Sequence, residues 1–279
     1  MKNFKDKVAV ITGAGSGIGR ALAQELASAG AKLALSDINE AGLKETADLL
    51  GLGEDRLMIR KLDVADRQAF YDFADDVVNH FGYANMIFNN AGVALGATVE
   101  KMNYDDFEWL MNINFWGVVY GTKAFLPYLK EAGEGHIINV SSVFGLIGIP
   151  TQSAYNAAKF AVRGFTESLR LELEMEQCGV SATSIHPGGI KTNIAKAARI
   201  SDDVAAITGS DPEQSKADFE KMFRTTPEEA ASTILKGVRQ NKRRVLIGSD
   251  ALAIDTMQRL MPTSYQRLMV MGQKFMNKK

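Results

Sequence analysis

The chain has 279 residues, 46% of them hydrophobic and 23% charged, enough to bury one large core as a single domain over 1–279. Lysine and arginine total 32 against 33 acidic residues, which excludes the strong overall field that gathers nucleic acid or an anionic membrane, so a ligand must be recognised locally. The single cysteine, Cys178, excludes an intrachain disulfide and a cysteine-based zinc site, and suits a reducing cytoplasm.

At the N-terminus a short apolar run, Val8 to Ile11, gives way to glycines. It is too short for a signal-peptide core, and no apolar run approaches bilayer-spanning length. The expectation is a cytoplasmic protein without a transmembrane segment. Seven β-rich runs follow one another, "KVAVIT", "KLALSD", "RLMIRKLDV", "NMIFNN", "GHIINVSS", "VSATSIHPGG" and "RVLIGS", with helical patterns between most of them. That alternation predicts an α/β doubly wound fold, a mostly parallel seven-stranded sheet with helices on both faces. Near-continuous Val, Ile and Leu in several strands suits a sheet covered on both sides.

The first strand runs into "TGAGSGIGRALAQELA". The spacing G-x-G-x-x-G fails because position 18 is Ile18; Gly13, Gly17 and Gly19 instead stand as a glycine, three residues, a glycine, one residue and a glycine. A turn without side chains lets a pyrophosphate approach the backbone and the positive end of the next helix, although tight packing of helix on strand can also need glycine. Asp37 ends the second strand, near the distance at which a carboxylate meets an adenosine ribose. It would repel a 2′-phosphate by ~4 kcal/mol at about 4 Å and an effective dielectric of about 20. No cation follows at Ile38 or Asn39, so NAD is favoured over NADP. Asp37 can equally cap the next helix. Asp63, ending the third strand, meets an adenine edge or caps a helix.

Ser142 closes "GHIINVSS" at the carboxyl edge of the sheet, where such folds bind ligands. Tyr155 and Lys159 share one helix face at i and i+4. An ammonium about 4 Å from the phenol favours phenolate by ~4 kcal/mol, roughly three pKa units, which would bring the tyrosine toward 7. Alone, such a pair is an ordinary solvated helix face.

The motifs in order resemble the short-chain dehydrogenase/reductase family from Lys5 to Gly248. TGxxxGxG matches Thr12 to Gly19, NNAG matches Asn89 to Gly92, a helix asparagine falls on Asn114, and the serine falls on Ser142. YxxxK falls on Tyr155 and Lys159, and PG followed by threonine on Pro187, Gly188 and Thr192. The resemblance implies hydride transfer between nicotinamide and an alcohol or carbonyl carbon. Tyr155 would be the acid/base, and Ser142 would bind the substrate oxygen. Lys159 would lower the tyrosine pKa and bind the ribose, and Asn114 would hold a water on the lysine. It implies cofactor contacts from Gly13, Ser16, Gly17, Ile18, Gly19, Asp37, Asp63, Val64, Asn90, Ala91, Gly92, Tyr155, Lys159, Pro187, Gly188, Ile190 and Thr192. Spacing also selects Ser142 over the adjacent Ser141, since only one of them can face the site.

Substrate choice is assigned to the loops after the strands. Val93, Leu95, Val143, Phe144, Leu146 and Ile149 suggest an apolar pocket for a hydrophobic small molecule, either a secondary alcohol or ketone or an aliphatic aldehyde. Residues 194–226 read as a lid insertion, and Lys191, Lys196 and Arg199 about its start contact an anionic group or solvent. Residues 250–279 read as a methionine-rich helical extension interrupted at Pro262 that packs on its own or a neighbouring subunit in preference to lying on a membrane, since its basic residues are sparse. Family likeness implies a homodimer or homotetramer. His80, His136 and His186 share no ligand spacing, so no metal site is expected; His186 is either a proton relay or a satisfied strand-end histidine. "NKRR", 241–244, reads as a solvated turn rather than a nucleic-acid patch. A dinucleotide-sensing regulator on the same fold is the alternative function, and the intact Asn114, Ser142, Tyr155 and Lys159 set argues for the enzyme.

Overall fold

Alternating side chains along each central strand fall into two separate buried clusters. Ala9 and Ile11, Leu33 and Leu35, Met86 and Phe88 join one; Val8 and Val10, Ala34, and Ile87 join the other. Period-2 alternation with both sets buried is what a sheet sandwiched between two helical layers requires. In this computed structural model, which describes residues 1–209, 211, 214, 217 and 223–276, the strands are β1 (Val8–Thr12), β2 (Lys32–Asp37), β3 (Leu57–Lys61) and β4 (Met86–Asn89). A two-residue strand β5 (Leu95–Gly96) precedes β6 (Gly135–Val140) and β7 (Val180–Pro187). Strands β8 (Arg199–Ile200) and β9 (Arg244–Ile247) complete the set.

The large sheet has the order β3-β2-β1-β4-β6-β7-β9, and every pairing in it is parallel. All seven carboxyl ends therefore lie along one edge. The chain reverses its direction of winding between β1 and β4, which opens a crevice at that edge. Helices α1 (Gly17–Ser28) and α8 (Pro227–Arg239) cover the first face through Leu22, Leu26, Ile234, Leu235 and Val238. Helices α3 (Arg67–Phe81), α5 (Gly117–Glu131) and α6 (Ser153–Glu176) cover the second through Phe70, Phe73, Phe125, Leu169 and Leu173. Each such fully buried side chain contributes roughly 1.5–3 kcal/mol.

Helix α2 (Glu40–Leu50) starts at Asn39, whose side chain accepts from the Gly42 N–H; Asp37 is not its cap. Helix α3 is likewise capped by Asp66, not Asp63. Helix α4 (Tyr104–Met111) runs into α5 through a π-helical turn, Asn112–Trp116. Strands β5 and β8 pair with each other outside the main sheet, a feature too short to carry a periodic signal. After a short helical turn α7 (Ala205–Thr208), the middle of the segment read as a lid lies largely outside the described residues. The extension forms α9 (Ser249–Leu260) and α10 (Tyr265–Met276), with Pro262 in the break between them; its last three residues lie outside the described ones. No helix among the described residues is long and apolar enough to cross a membrane.

Candidate active site

A cavity of about 760 Å³ opens along the carboxyl edge of the sheet, lined at or just beyond the end of each strand by Gly13, Asp37, Asp63, Asn90, Ser142, Pro187 and Ser249. Parallel topology makes this convergence unavoidable, since every strand ends there. At one end lies the glycine turn. Gly13 and Gly17 have φ of 66° and 52°, a region that L side chains rarely adopt. A Cβ on Gly19 would run into the Gly13 carbonyl, so Gly19 serves close packing of α1 on the turn and does not line the cavity. Thr12 ties the turn to β4: its hydroxyl donates to the Phe88 carbonyl at 3.3 Å and accepts from the Asn90 and Ala91 N–H groups. Asn90 Nδ2 donates back to the Thr12 carbonyl at 2.9 Å.

Asp37 lines the same end of the cavity. Its carboxylate is held by the Gly15 N–H at 2.8 Å and the Asn39 N–H at 2.9 Å, which fixes a negative charge beside the turn. Arg20, which approaches that turn, is occupied by the Gly15 carbonyl and Glu45. Asp63 also faces the cavity while accepting from the Ala65 N–H.

At the other end stand Ser142, Tyr155 and Lys159. Helix α6 carries Tyr155 and Lys159 one turn apart, and the lysine Nζ lies 5.5 Å from the tyrosine ring centroid. Lys159 is buried, and its ammonium donates to the Val140 carbonyl at 3.0 Å. Of the adjacent serines, Ser141 turns its hydroxyl to the Lys159 backbone carbonyl at 2.8 Å, whereas Ser142 lines the cavity with Tyr155 and its hydroxyl accepts from the Phe144 N–H. Phe144 packs edge-on against the Tyr155 ring.

The expected acidification of Tyr155 is not what these surroundings produce. Burial pushes its hydroxyl up to about 12, against a smaller opposing effect of the nearby Ser142 hydroxyl. The residue as a whole keeps some exposure, but removal of its hydroxyl from water is the leading cause of the shift. Burial brings Lys159 down to about 8. Both shifts have one cause: removal from water penalises the charged form of each residue. Attraction between the two groups at about 4 Å, taken without this cost, points the opposite way for Tyr155.

Asn114 sits in the π-helical turn, a geometry often found at functional sites. It is fully buried and does not line the cavity. Its amide accepts from the Val93 N–H and donates to the Val93 carbonyl, both at 2.8 Å. Gly92 separates it from Lys159: a Cβ there would stand 3.1 Å from Asn114 Oδ1 and 3.6 Å from Lys159 Nζ. His186 is fully buried. Its Nδ1 lies 2.9 Å from the Ser142 carbonyl, which can only accept, so Nδ1 carries the proton and Nε2 accepts from the Ser184 hydroxyl at 2.9 Å. Burial lowers its pKa to about 4. His186 is thus a neutral strand-end histidine that holds the Ser142 backbone.

All other predicted cofactor contacts, from Ser16, Gly17 and Ile18 through Val64, Ala91 and Gly92 to Gly188, Ile190 and Thr192, line the cavity, as do Val93, Val143 and Phe144. Leu95 and Leu146 are instead core residues, and Ile149 faces a separate shallow groove. Arg199 stacks on Trp109 and pairs with Asp106 at 2.7 Å; Lys191 and Lys196 are exposed. In "NKRR", Arg243 pairs with Glu174 and Arg244 with Asp255. The described residues contain no group of His, Cys, Asp and Glu that could hold a metal ion.

The sequence reading missed the start of α9. Asp250, Ala253 and Ile254 line the cavity, and Asp250 accepts from the Gly189 N–H at 2.7 Å. Further on, the Tyr265 hydroxyl accepts from the Gly148 N–H at 3.0 Å. The tail therefore walls the site and braces the loop before α6. Its spacing in the sequence, an acidic residue in the first turn after the last strand, gave no sign of that placement.

The profile of the short chain dehydrogenase family matches residues 7–203. Among curated proteins, SadH of Mycobacterium tuberculosis, described as an oxidoreductase, is 49% identical over 98% of this chain and 97% of its own. A short chain dehydrogenase/reductase from Burkholderia phymatum, solved in complex with NAD, superposes with a TM-score of 0.84 at 30% identity, covering 93% of this chain and 95% of that one. An alcohol dehydrogenase from Thermococcus sibiricus, complexed with 5-hydroxy-NADP, gives a TM-score of 0.71 at 25% identity over 87% and 96% of the two chains.

Proposed function

Because the chain belongs to the short-chain dehydrogenase/reductase family, we infer that it is an oxidoreductase that interconverts a hydrophobic alcohol and its carbonyl compound, taking NAD in preference to NADP. The observation that carries this reading is the meeting of Ser142, Tyr155 and Lys159 on one wall of a cavity whose other end is the glycine turn with Asp37. The turn suits a dinucleotide, because Gly13 and Gly17, both at positive φ, present backbone rather than side chains to the cavity just ahead of α1. Asp37 suits two ribose hydroxyls and opposes a 2′-phosphate, with Arg20 already occupied.

When bound, the dinucleotide supplies the hydride acceptor or donor. The chain's own residues handle the proton. With its pKa raised to about 12, Tyr155 keeps its proton at neutral pH and is set to donate it to a carbonyl oxygen, while the Ser142 hydroxyl hydrogen-bonds that oxygen as charge develops. Lys159 holds a positive charge one helical turn away below its pKa of about 8, which favours the phenolate left behind. In the oxidative direction Tyr155 must first lose its proton, so that direction gains as pH rises. The apolar wall of Val93, Val143, Phe144, Ala253 and Ile254 selects a hydrophobic substrate, either a secondary alcohol or ketone or an aliphatic aldehyde.

Exposed Trp116, Phe160, Leu171 and Met175 beside and along α6 support assembly as a homodimer or homotetramer, and the free Cys178 supports a cytoplasmic setting. The test is nicotinamide absorbance with NAD and NADP against a panel of alcohols and carbonyl compounds. Turnover with NAD, and weaker turnover with NADP, is the expected result. Tight dinucleotide binding without turnover of any panel member would instead identify a dinucleotide sensor.

A further inference from the structure

Gln152 opens helix α6, the position at which a polar side chain ordinarily accepts from the N–H groups of the first turn. It does not do so: its side chain makes no capping bond, and its amide has no hydrogen-bond partner among the described residues. Instead it lines the cavity, three residues ahead of Tyr155 and hence on the same helix face. The residue before it, Thr151, has φ of 65°. For a β-branched residue this is a strained, left-handed conformation, held because the Thr151 carbonyl accepts from the Ala97 N–H at 2.9 Å. Gly96 backs the amide, and a Cβ there would stand 3.5 Å from Gln152 Nε2. Backbone strain of this kind persists where the surroundings over-determine it, commonly at ligand-contacting positions.

We propose that Gln152 is a specificity-determining residue, reading a second, uncharged oxygen on the substrate beyond the carbon that reacts at Tyr155. This rests on the oxidoreductase reading above and adds a substrate class: ketones or alcohols that carry a further carbonyl, hydroxyl or ether oxygen on an apolar frame. A primary amide both donates and accepts, so it serves any of these groups. It suits a carboxylate less, since one neutral amide is a poor exchange for water in a cavity also lined by Val93, Ala94 and Phe144, and the guanidinium on the cavity wall, that of Arg224, is exposed. The carboxylate of Asp250, elsewhere on the wall, is already engaged by the Gly189 N–H.

The test compares wild type with Gln152→Met, which keeps length and removes both hydrogen-bonding atoms. Probes are cyclohexanone against 1,4-cyclohexanedione and acetophenone against 4-hydroxyacetophenone, with 4-oxocyclohexanecarboxylate as the charged control. Wild type is expected to favour the two-oxygen member of at least one pair. In the variant that preference should fall about tenfold, the scale of one hydrogen bond. Turnover of the one-oxygen probes, the NAD dissociation constant and the melting temperature should stay unchanged. Equal losses for both members of each pair, no loss, or a wild-type preference for the carboxylate would overturn the proposal while leaving the oxidoreductase intact. Failure of wild type to turn over any carbonyl compound would remove both.

Discussion

Lys159 offers a quantitative check on how strongly the site holds its charges out of water. Burial lowers its pKa from 10.5 to about 8, and at 1.36 kcal/mol per unit the folded state disfavours the ammonium by about 3 kcal/mol relative to the unfolded chain. The sign follows from proton counts. Between about pH 8 and 10.5 the unfolded chain binds this proton and the folded chain does not, so stability rises with pH across that window and is flat on either side. In Lys159→Met this contribution disappears. Urea unfolding of both proteins at intervals from pH 7 to pH 10.5 isolates it, because every other titrating group is shared. The wild-type stability should climb relative to the variant by about 3 kcal/mol over the window. The absolute stability of the variant at pH 7 is less informative, since losing the bond to Val140 leaves a buried carbonyl without that donor. Parallel pH curves for the two proteins would refute the account of a desolvated ammonium.

Asp37→Ser should raise the ratio of NADP to NAD affinity at least tenfold in cofactor titrations, since removing a like charge worth up to ~4 kcal/mol at about 4 Å relieves the 2′-phosphate; an unchanged ratio would place the ribose elsewhere. His186→Leu should destabilise by about 2–5 kcal/mol in chemical unfolding, because the Ser142 carbonyl loses a donor and the Ser184 hydroxyl loses its acceptor. With the His186 pKa near 4, wild type should also lose stability relative to this variant as pH falls from about 6.5 toward 4, where the unfolded chain alone takes up the proton. A flat difference over that range would mean that the histidine is not buried in its neutral form.

Much of the architecture was legible because its signals are local or spaced in sequence. Seven apolar runs became the seven strands of one parallel sheet, and the glycine turn, Asp37, Ser142, Tyr155 and Lys159 fell along its carboxyl edge. What escaped depends on where distant segments meet. Strands β5 and β8 have two residues each and exist only because Leu95 and Arg199 are brought side by side. The role of Asp250, Ala253 and Ile254 depends on α9 leaving β9 toward the cavity mouth. The acidity of Tyr155 went astray for a related reason. A spacing of four residues fixes which neighbours can meet, but desolvation depends on everything packed around them. Gln152 belongs to the same class, since its missing capping bond is visible only in three dimensions.

A labelled hydride tests the source of the proton and the destination of the hydride together. With NADH deuterated at nicotinamide C4 and a hydrophobic ketone, mass spectrometry of the alcohol formed should find deuterium on the carbinol carbon for wild type, and transfer at least a hundredfold slower for Tyr155→Phe, the scale of a lost general acid, with NADH affinity retained. Equal rates of label transfer in the two proteins, or product free of deuterium, would contradict a reaction in which the Tyr155 hydroxyl supplies the proton to a carbonyl reduced by the cofactor.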